Sequence, residues 1–196
     1  MTVSTWAAVG FLALVTVQRV LETFARWRTI PGKQQMRWSF YAFFSLHTLI
    51  IIGALVEFLL VRKALLWWWS AVGFVLYIVS VALRNVAIRT LGRFWSLHVE
   101  IRSEHKLVRE GVYRYIRHPA YAAIILEVLS IPMVVNAWWT VLFAAITYLP
   151  LLGLRLRLEE KALLEKLGEH YRQYQSEAGA LLPKWSTIRK ALASLR

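Results

Sequence analysis

The chain has 196 residues, of which 58% are hydrophobic and ten are Trp, and its mean hydropathy is +0.49; a water-soluble domain does not carry that composition. Twenty-four Lys and Arg stand against eleven Glu and no Asp, giving a formal net charge of +13, and there is no Cys. These absences exclude disulfides, thiolate metal sites, thiol nucleophiles and Mg²⁺ held on paired aspartates, and none of the nine glycines forms the GxG pair of a nucleotide-binding loop.

In chain order, apolar runs from Val3 to Phe24, Trp38 to Val61 and Ala64 to Ala87 each reach the roughly 20 helical residues that a membrane crossing needs. The first has no upstream basic cluster and no small-residue cleavage pattern, so it reads as a retained helix and not as a removable signal peptide. A basic segment follows from Ile88 to His118, with turns expected at Leu91-Gly92 and Gly111. Two shorter apolar runs, Ala120 to Val135 and Ala137 to Leu154, are separated only by Asn136 and bordered by Trp138 and Trp139, which predicts a tight helical hairpin. The first of the pair is only about 24 Å long, so it stops short of the far interface or starts deeper in the membrane. The expected architecture is an all-α polytopic integral membrane protein: five transmembrane helices, the last two a hairpin over 120–154, and a cytoplasmic amphipathic C-terminal helix. Residues 1–87 form a three-helix part, and 88–196 form a second part that carries the chemistry.

Charge placement sets the orientation. Arg26, Arg28, Lys33 and Arg37 fall in the first loop, seven basic residues lie between Arg89 and Arg117, and nine follow from Arg155 onward; the second loop has only Arg62 and Lys63, and the hairpin turn has none. With five spans, the positive-inside rule puts the N-terminus outside and the C-terminus in the cytoplasm, in the inner membrane. Topology and anionic headgroups account for the basic excess, so no nucleic-acid partner is expected.

Chemistry concentrates in LVREGVYRYIRHPAY, from Leu107 to Tyr121. Pro119 suits the first position of a helix, and it pushes His118 out of the helical region. With Arg117 beside it and helical amides below, His118 marks an anion-binding corner fit for a carboxylate or phosphate; the alternative is that both side chains snorkel to headgroups. A second signal comes from a helical wheel over Arg155 to Tyr174. Leu156, Glu160, Leu163, Leu164, Leu167, Tyr171 and Tyr174 share one face, and Lys161, Glu165, Glu169 and Arg172 share the other. Glu160 is a carboxylate in an apolar stripe, so it must meet a cation: Arg117, His118 or a ligand ammonium. Arg155 and Glu159, four apart, form a possible surface ion pair. Within the spans, Arg19 and Glu22 are spaced to neutralise each other, His47, Glu57, Arg84 and Glu127 are pocket residues with no partner legible in the sequence, and Trp67 to Trp69 read as interface anchors.

Over roughly Leu91 to Trp185 the chain resembles the isoprenylcysteine carboxyl methyltransferase family and its phospholipid-methyltransferase relatives. The resemblance rests on Leu91-Gly92, Trp95-Ser96, HKLVREGVYRYIRHPAY from His105 to Tyr121, RLRLEE from Arg155 to Glu160, LGEHYRQY from Leu167 to Tyr174, and Leu182-Pro183. It implies transfer of a methyl group from S-adenosylmethionine to a lipophilic or prenylated acceptor that enters through the membrane lipids. It further implies that His105, Leu107, Val108, Gly111, Tyr113, Arg117, His118, Tyr121 and Glu160 match the cofactor region, and that Arg155 and Glu159 lie near the reacting groups. No metal is implied. An activated sulfonium methyl leaves the protein mainly a positioning task; a carboxylate acceptor needs no general base, whereas an amine or phenol does. The chain departs from the family pattern at Ala180, where relatives often carry Arg, and at Glu127, where an apolar residue is expected; both bear on the acceptor. Two other readings fit the residues: an NADPH-dependent membrane sterol or enone reductase, whose anion corner grips a phosphate, and a non-enzymatic lipid-binding membrane protein. Oligomeric state is not set by the sequence.

Overall fold

The computed structural model describes residues 3–24, 33–35, 37–61, 65–92, 95, 99–101 and 107–193. Five helices form its body: α1 (Val3–Phe24), α2 (Arg37–Val61), α3 (Trp67–Leu91), α4 (Pro119–Val134) and α5 (Trp138–Leu167). Two nine-residue helices follow, α6 (Glu169–Glu177) and α7 (Trp185–Ala193). Four of the body helices are long and apolar enough to cross a membrane, and α4, with 16 residues, is shorter. A short antiparallel ribbon pairs β1 (Lys33–Gln35) with β2 (Val99–Ile101), Lys33 opposite Ile101. Three residues are too few to show a period, so neither strand is legible in the sequence.

Outward faces carry large apolar side chains such as Leu14, Leu21, Phe74, Ile78 and Ile146, while Ala8, Ala54, Ala87, Ala123 and Ala144 are buried between helices. Small residues at the contacts let backbones approach where lipid supplies no hydrophobic drive. The tightest case is Gly73, where a Cβ would stand 2.9 Å from the Met133 Cβ and the Val134 nitrogen. α3 and α4 accordingly form the most extensive helix pair.

Several bonds tie one end of the body together. Asn136 turns the chain between α4 and α5 at φ +57°, accepts a hydrogen bond from the Leu66 amide at 2.9 Å and donates to the Ser70 hydroxyl at 2.7 Å, while Trp69 stacks on Trp138 at 4.6 Å. From α2, Glu57 accepts the Trp139 and Thr140 amides at 3.0 and 2.8 Å and the Thr140 hydroxyl at 2.8 Å, capping the first turn of α5. The far end of α4 therefore meets the first turn of α3, and its near end packs Ala120 in one cluster with Ala87, short of the end of α3. α4 thus begins beside Ala87, one turn before the end of α3.

Beyond Leu154 the helix does not stop. The amphipathic stretch expected as a separate tail helix is the continuation of α5 as far as Leu167, because Leu, Arg, Glu, Lys and Ala follow one another with no breaker. Gly168, at φ +53°, ends it and α6 restarts. Gly92 and Gly111, at φ +51° and +53°, turn the chain where the sequence predicts.

Charged groups of the spans meet in one layer. Arg19 reaches Glu22 at 3.0 Å, as the spacing predicts, but Glu22 also takes Arg84, and Arg84 pairs with the fully buried Glu127. Arg19 lies 3.5 Å from Glu127, and His47 lies 3.9 Å from it on the other side. Gln18 and the Tyr77 hydroxyl extend the chain of bonds from Glu22. Three helices, α1, α3 and α4, thus share two arginines and two glutamates in balance, and α2 adds His47.

Candidate functional site

The site lies where α4 begins. Pro119 is its first residue, His118 precedes it with φ −124° and ψ 60°, and the Tyr121 and Ala122 amides both donate to the His118 carbonyl at 3.1 Å. Arg117 sits just outside the helix and lays its guanidinium against α5. Its Nε and Nη2 donate to Glu160 Oε1 at 2.9 and 2.7 Å, and Nη1 donates to the Ala178 and Gln175 carbonyls at the end of α6. His118 Nε2 lies 3.2 Å from the same carboxylate oxygen, and the Tyr171 hydroxyl donates to it at 3.4 Å. Oε2 takes a 3.3 Å bond from Gln175. The cation that Glu160 requires is thus present as Arg117, with the His118 ring beside it.

The backbone at this mouth differs from the sequence expectation of open amides. The Arg117 and His118 amides donate to the Gly179 and Ala180 carbonyls at 2.8 and 3.0 Å, in a parallel bridge between Ile116 and Gly179. A contact across some sixty residues leaves no local trace in the sequence. These two amides are therefore satisfied by the chain itself and not open to an anion.

One turn further along α4, the Tyr121 ring stacks on His118 with centroids 5.4 Å apart and planes 6° from parallel. Its hydroxyl donates to Glu159 and accepts from Arg155 Nε at 2.9 Å. The Arg155 guanidinium is buried and lies 5.4 Å over the Phe43 ring of α2 and 5.6 Å over Tyr121. Arg155 and Glu159, four apart on one helix, are bridged by a phenol from another. Phe43 carries no signal in the sequence beyond being one apolar residue among many.

Apolar walls complete the corner. Leu107 packs with Leu163, Leu164 and Leu167 against buried Tyr171, Tyr174 and Ala178, whereas Val108 and Tyr113 belong to a neighbouring cluster with Ala87 and Leu91. The Tyr174 hydroxyl donates to the Tyr113 carbonyl at 2.5 Å, and Arg109 lies 5.3 Å over the Tyr174 ring while donating to the His170 carbonyl at 2.6 Å. Burial pushes the phenols of Tyr113 and Tyr171 up and that of Tyr174 to about 12, so all three stay neutral. Gly111 is required by shape: at its left-handed φ, a Cβ would meet the Thr90 hydroxyl at 3.1 Å. His105, named in the sequence reading, lies outside the described residues.

A family model described as the isoprenylcysteine carboxyl methyltransferase family matches residues 71–165, from α3 to just past Glu160. The Bacillus subtilis (strain 168) protein YpbQ is 34% identical over 121 residues, which cover 62% of this chain and 71% of that one. The chain belongs to the isoprenylcysteine carboxyl methyltransferase family. Protein-S-isoprenylcysteine O-methyltransferase B of Arabidopsis thaliana is 33% identical over 120 residues, 60% of each chain. A solved structure of the eukaryotic intramembrane Ras methyltransferase of this family superposes with a TM-score of 0.66 at 27% identity, covering 71% of this chain and 52% of that one. The chain therefore spans about 60% of the plant relative's length and about half of the solved one. With its apolar helices and this fold, the isoprenylcysteine carboxyl methyltransferase family member is an integral membrane protein. The segment shared with the family model holds Arg117, His118, Tyr121, Arg155, Glu159 and Glu160, whereas Phe43 from α2 and Tyr171 and Gln175 from α6 lie outside it.

Proposed function

We propose that this family member transfers a methyl group from S-adenosylmethionine to a lipophilic acceptor of the prenylcysteine type. The observation that carries the reading is the joining of two polar sets, Arg117–His118–Glu160 and Arg155–Tyr121–Glu159, through the stacked rings of His118 and Tyr121 at the mouth of α4. The residues fit the cofactor's methionyl end: among the described residues Glu160 Oε2 carries only the 3.3 Å bond from Gln175, which leaves acceptor capacity for an ammonium. Arg117 and His118 hold Glu160 ionised and in place, and Leu107, Val108, Gly111 and Tyr113 supply the rest of the cofactor's surroundings.

Glu160 and its neighbours would hold S-adenosylmethionine, which would supply an activated methyl for displacement by the acceptor's lone pair, the electrons of the broken C–S bond staying on sulfur. Arg155, fixed by Tyr121 and Phe43, orients an acceptor carboxylate without protonating it. Where the acceptor is a phenol or amine, Glu159 takes the proton. The acceptor arrives sideways from the lipid and the polar cofactor arrives from the cytoplasm. That division follows from five crossings, with α4 as the fourth, an outer N-terminus and a cytoplasmic C-terminus in the inner membrane. The bonds from Asn136 and Glu57 support it, because they bring the ends of α2 and α4 and the starts of α3 and α5 to one side.

Calorimetric titration of the purified protein with S-adenosylhomocysteine tests the reading, with NADPH as control and Glu160→Gln alongside. Binding of S-adenosylhomocysteine that the variant loses, and methylation of S-farnesyl-N-acetylcysteine that Arg155→Ala abolishes with binding intact, are the expected results. A folded protein that binds only NADPH refutes the proposal.

A further inference from the structure

After α6 the chain folds back at Gly179, where a Cβ would stand 1.8 Å from the Leu182 carbonyl oxygen, so only glycine closes this turn. The turn is bonded to the mouth of α4 through the Arg117 and His118 amides. Pro119, the next residue, opens a helix that runs into the apolar body, so Leu182 and the start of α7 lie at the level where the chain enters the membrane.

α7 is also fixed in rotation. Lys184 Nζ donates to the Gln175 and Ser176 carbonyls at 2.6 and 2.9 Å, and the Thr187 hydroxyl donates to the Glu177 carbonyl, so the Thr187 side faces the end of α6. On a helical wheel Trp185 falls roughly 160° away from Thr187, on the far side. There it is 69% exposed, and Leu182 beside it is 77% exposed. Ile188 continues that apolar stripe and Arg189 borders it. From Lys184 onward the sequence carries Lys184, Arg189, Lys190 and Arg196 and no acidic residue.

We propose that Leu182 and α7 form an interfacial docking element whose partner is the anionic lipid surface around the mouth of the site. Leu182, Trp185 and Ile188 bury among the upper acyl chains, and Arg189 contacts headgroup phosphates. An exposed Trp among apolar neighbours, bordered by cations and held at membrane entry, matches a negatively charged leaflet in both polarity and depth. This inference does not depend on methyl transfer.

Because the chain has no Cys, single cysteines report one position each. Nitroxide labels at Leu182→Cys, Trp185→Cys and, as a water-exposed control, Lys166→Cys are compared in the full chain in nanodiscs of phosphatidylcholine alone and of phosphatidylcholine with phosphatidylglycerol. Labels at 182 and 185 are expected to be several-fold more accessible to oxygen, relative to an aqueous nickel chelate, than the label at 166. The contrast should grow with phosphatidylglycerol and shrink in Arg189→Glu/Lys190→Glu. Chelate accessibility equal to that of 166 overturns the proposal, as does equal burial in both lipid mixtures. Spin–spin coupling between copies, with burial that persists in detergent, overturns it in favour of a second copy.

Discussion

Glu127 sits at 0% exposure in the middle of α4, paired with Arg84, 3.5 Å from Arg19 and 3.9 Å from His47. Replacing it with Leu leaves Arg19 and Arg84 with Glu22 as the one carboxylate of the layer, one excess positive charge beside the buried Arg84. Breaking a buried pair from one side costs about 3–5 kcal/mol, which at about 1.4 kcal/mol per decade is roughly 10²- to 10⁴-fold in the unfolding equilibrium. Removing both partners in Arg84→Met/Glu127→Leu leaves Arg19 and Glu22 to neutralise each other at 3.0 Å, so the double variant should be more stable than Glu127→Leu. Equilibrium unfolding of Glu127→Leu, Arg84→Met and the double variant in mixed micelles, followed by circular dichroism, gives all three values. A loss below about 1 kcal/mol in Glu127→Leu, the range of exposed pairs, or a double variant whose loss equals the sum of the singles, would refute a desolvated and mutually dependent cluster.

Glu57→Ala removes the acceptor for the first amides of α5 and should cost about 0.5–2 kcal/mol in the same unfolding assay; no loss would mean that water caps the helix equally well. Gly111→Ala forces a side chain into a left-handed φ against Thr90 and should cost about 1–3 kcal/mol, with a matching fall in S-adenosylhomocysteine affinity if the turn shapes the cofactor wall. Burial raises the Tyr174 phenol from the ordinary 10.0 to about 12. The unfolded chain therefore releases its proton first, and the contribution, complete below pH 10, is lost as pH climbs towards 12. Tyr174→Phe should flatten that decline while costing about 1–3 kcal/mol at neutral pH for the orphaned Tyr113 carbonyl; an unchanged alkaline slope would remove Tyr174 as its source.

Local signals carried much of the architecture into the sequence. Pro119 fixed a helix start, Asn136 a turn, Gly92 and Gly111 left-handed corners, and runs of apolar residues the spans, because each acts within a few residues of itself. The need of Glu160 for a cation was legible for the same reason, as a charge out of place on a wheel. Partners across the bundle were not. That Tyr121 bridges Arg155 to Glu159, that Phe43 faces Arg155, and that Glu22, Arg84 and Glu127 share one layer depend on helix rotation and depth, which a single sequence does not encode locally. The continuation of α5 past Leu154 shows the converse: hydropathy ends there, but helix propensity does not.

That continuation has a mechanical consequence. Thirty residues at 1.5 Å make α5 about 45 Å long against a hydrocarbon layer of about 30 Å, so Glu160 rides about 33 Å from the helix start. A rigid tilt of about 10° about that start would swing Glu160 by roughly 6 Å, an order of magnitude more than its bonds to Arg117 and His118 tolerate. Those bonds, with Tyr121 on Glu159, act as struts between two levers set in a fluid sheet. They oblige the sheet's thickness to act on α4 and α5 as one piece, so the spacing of the two polar sets is kept while the pair tilts.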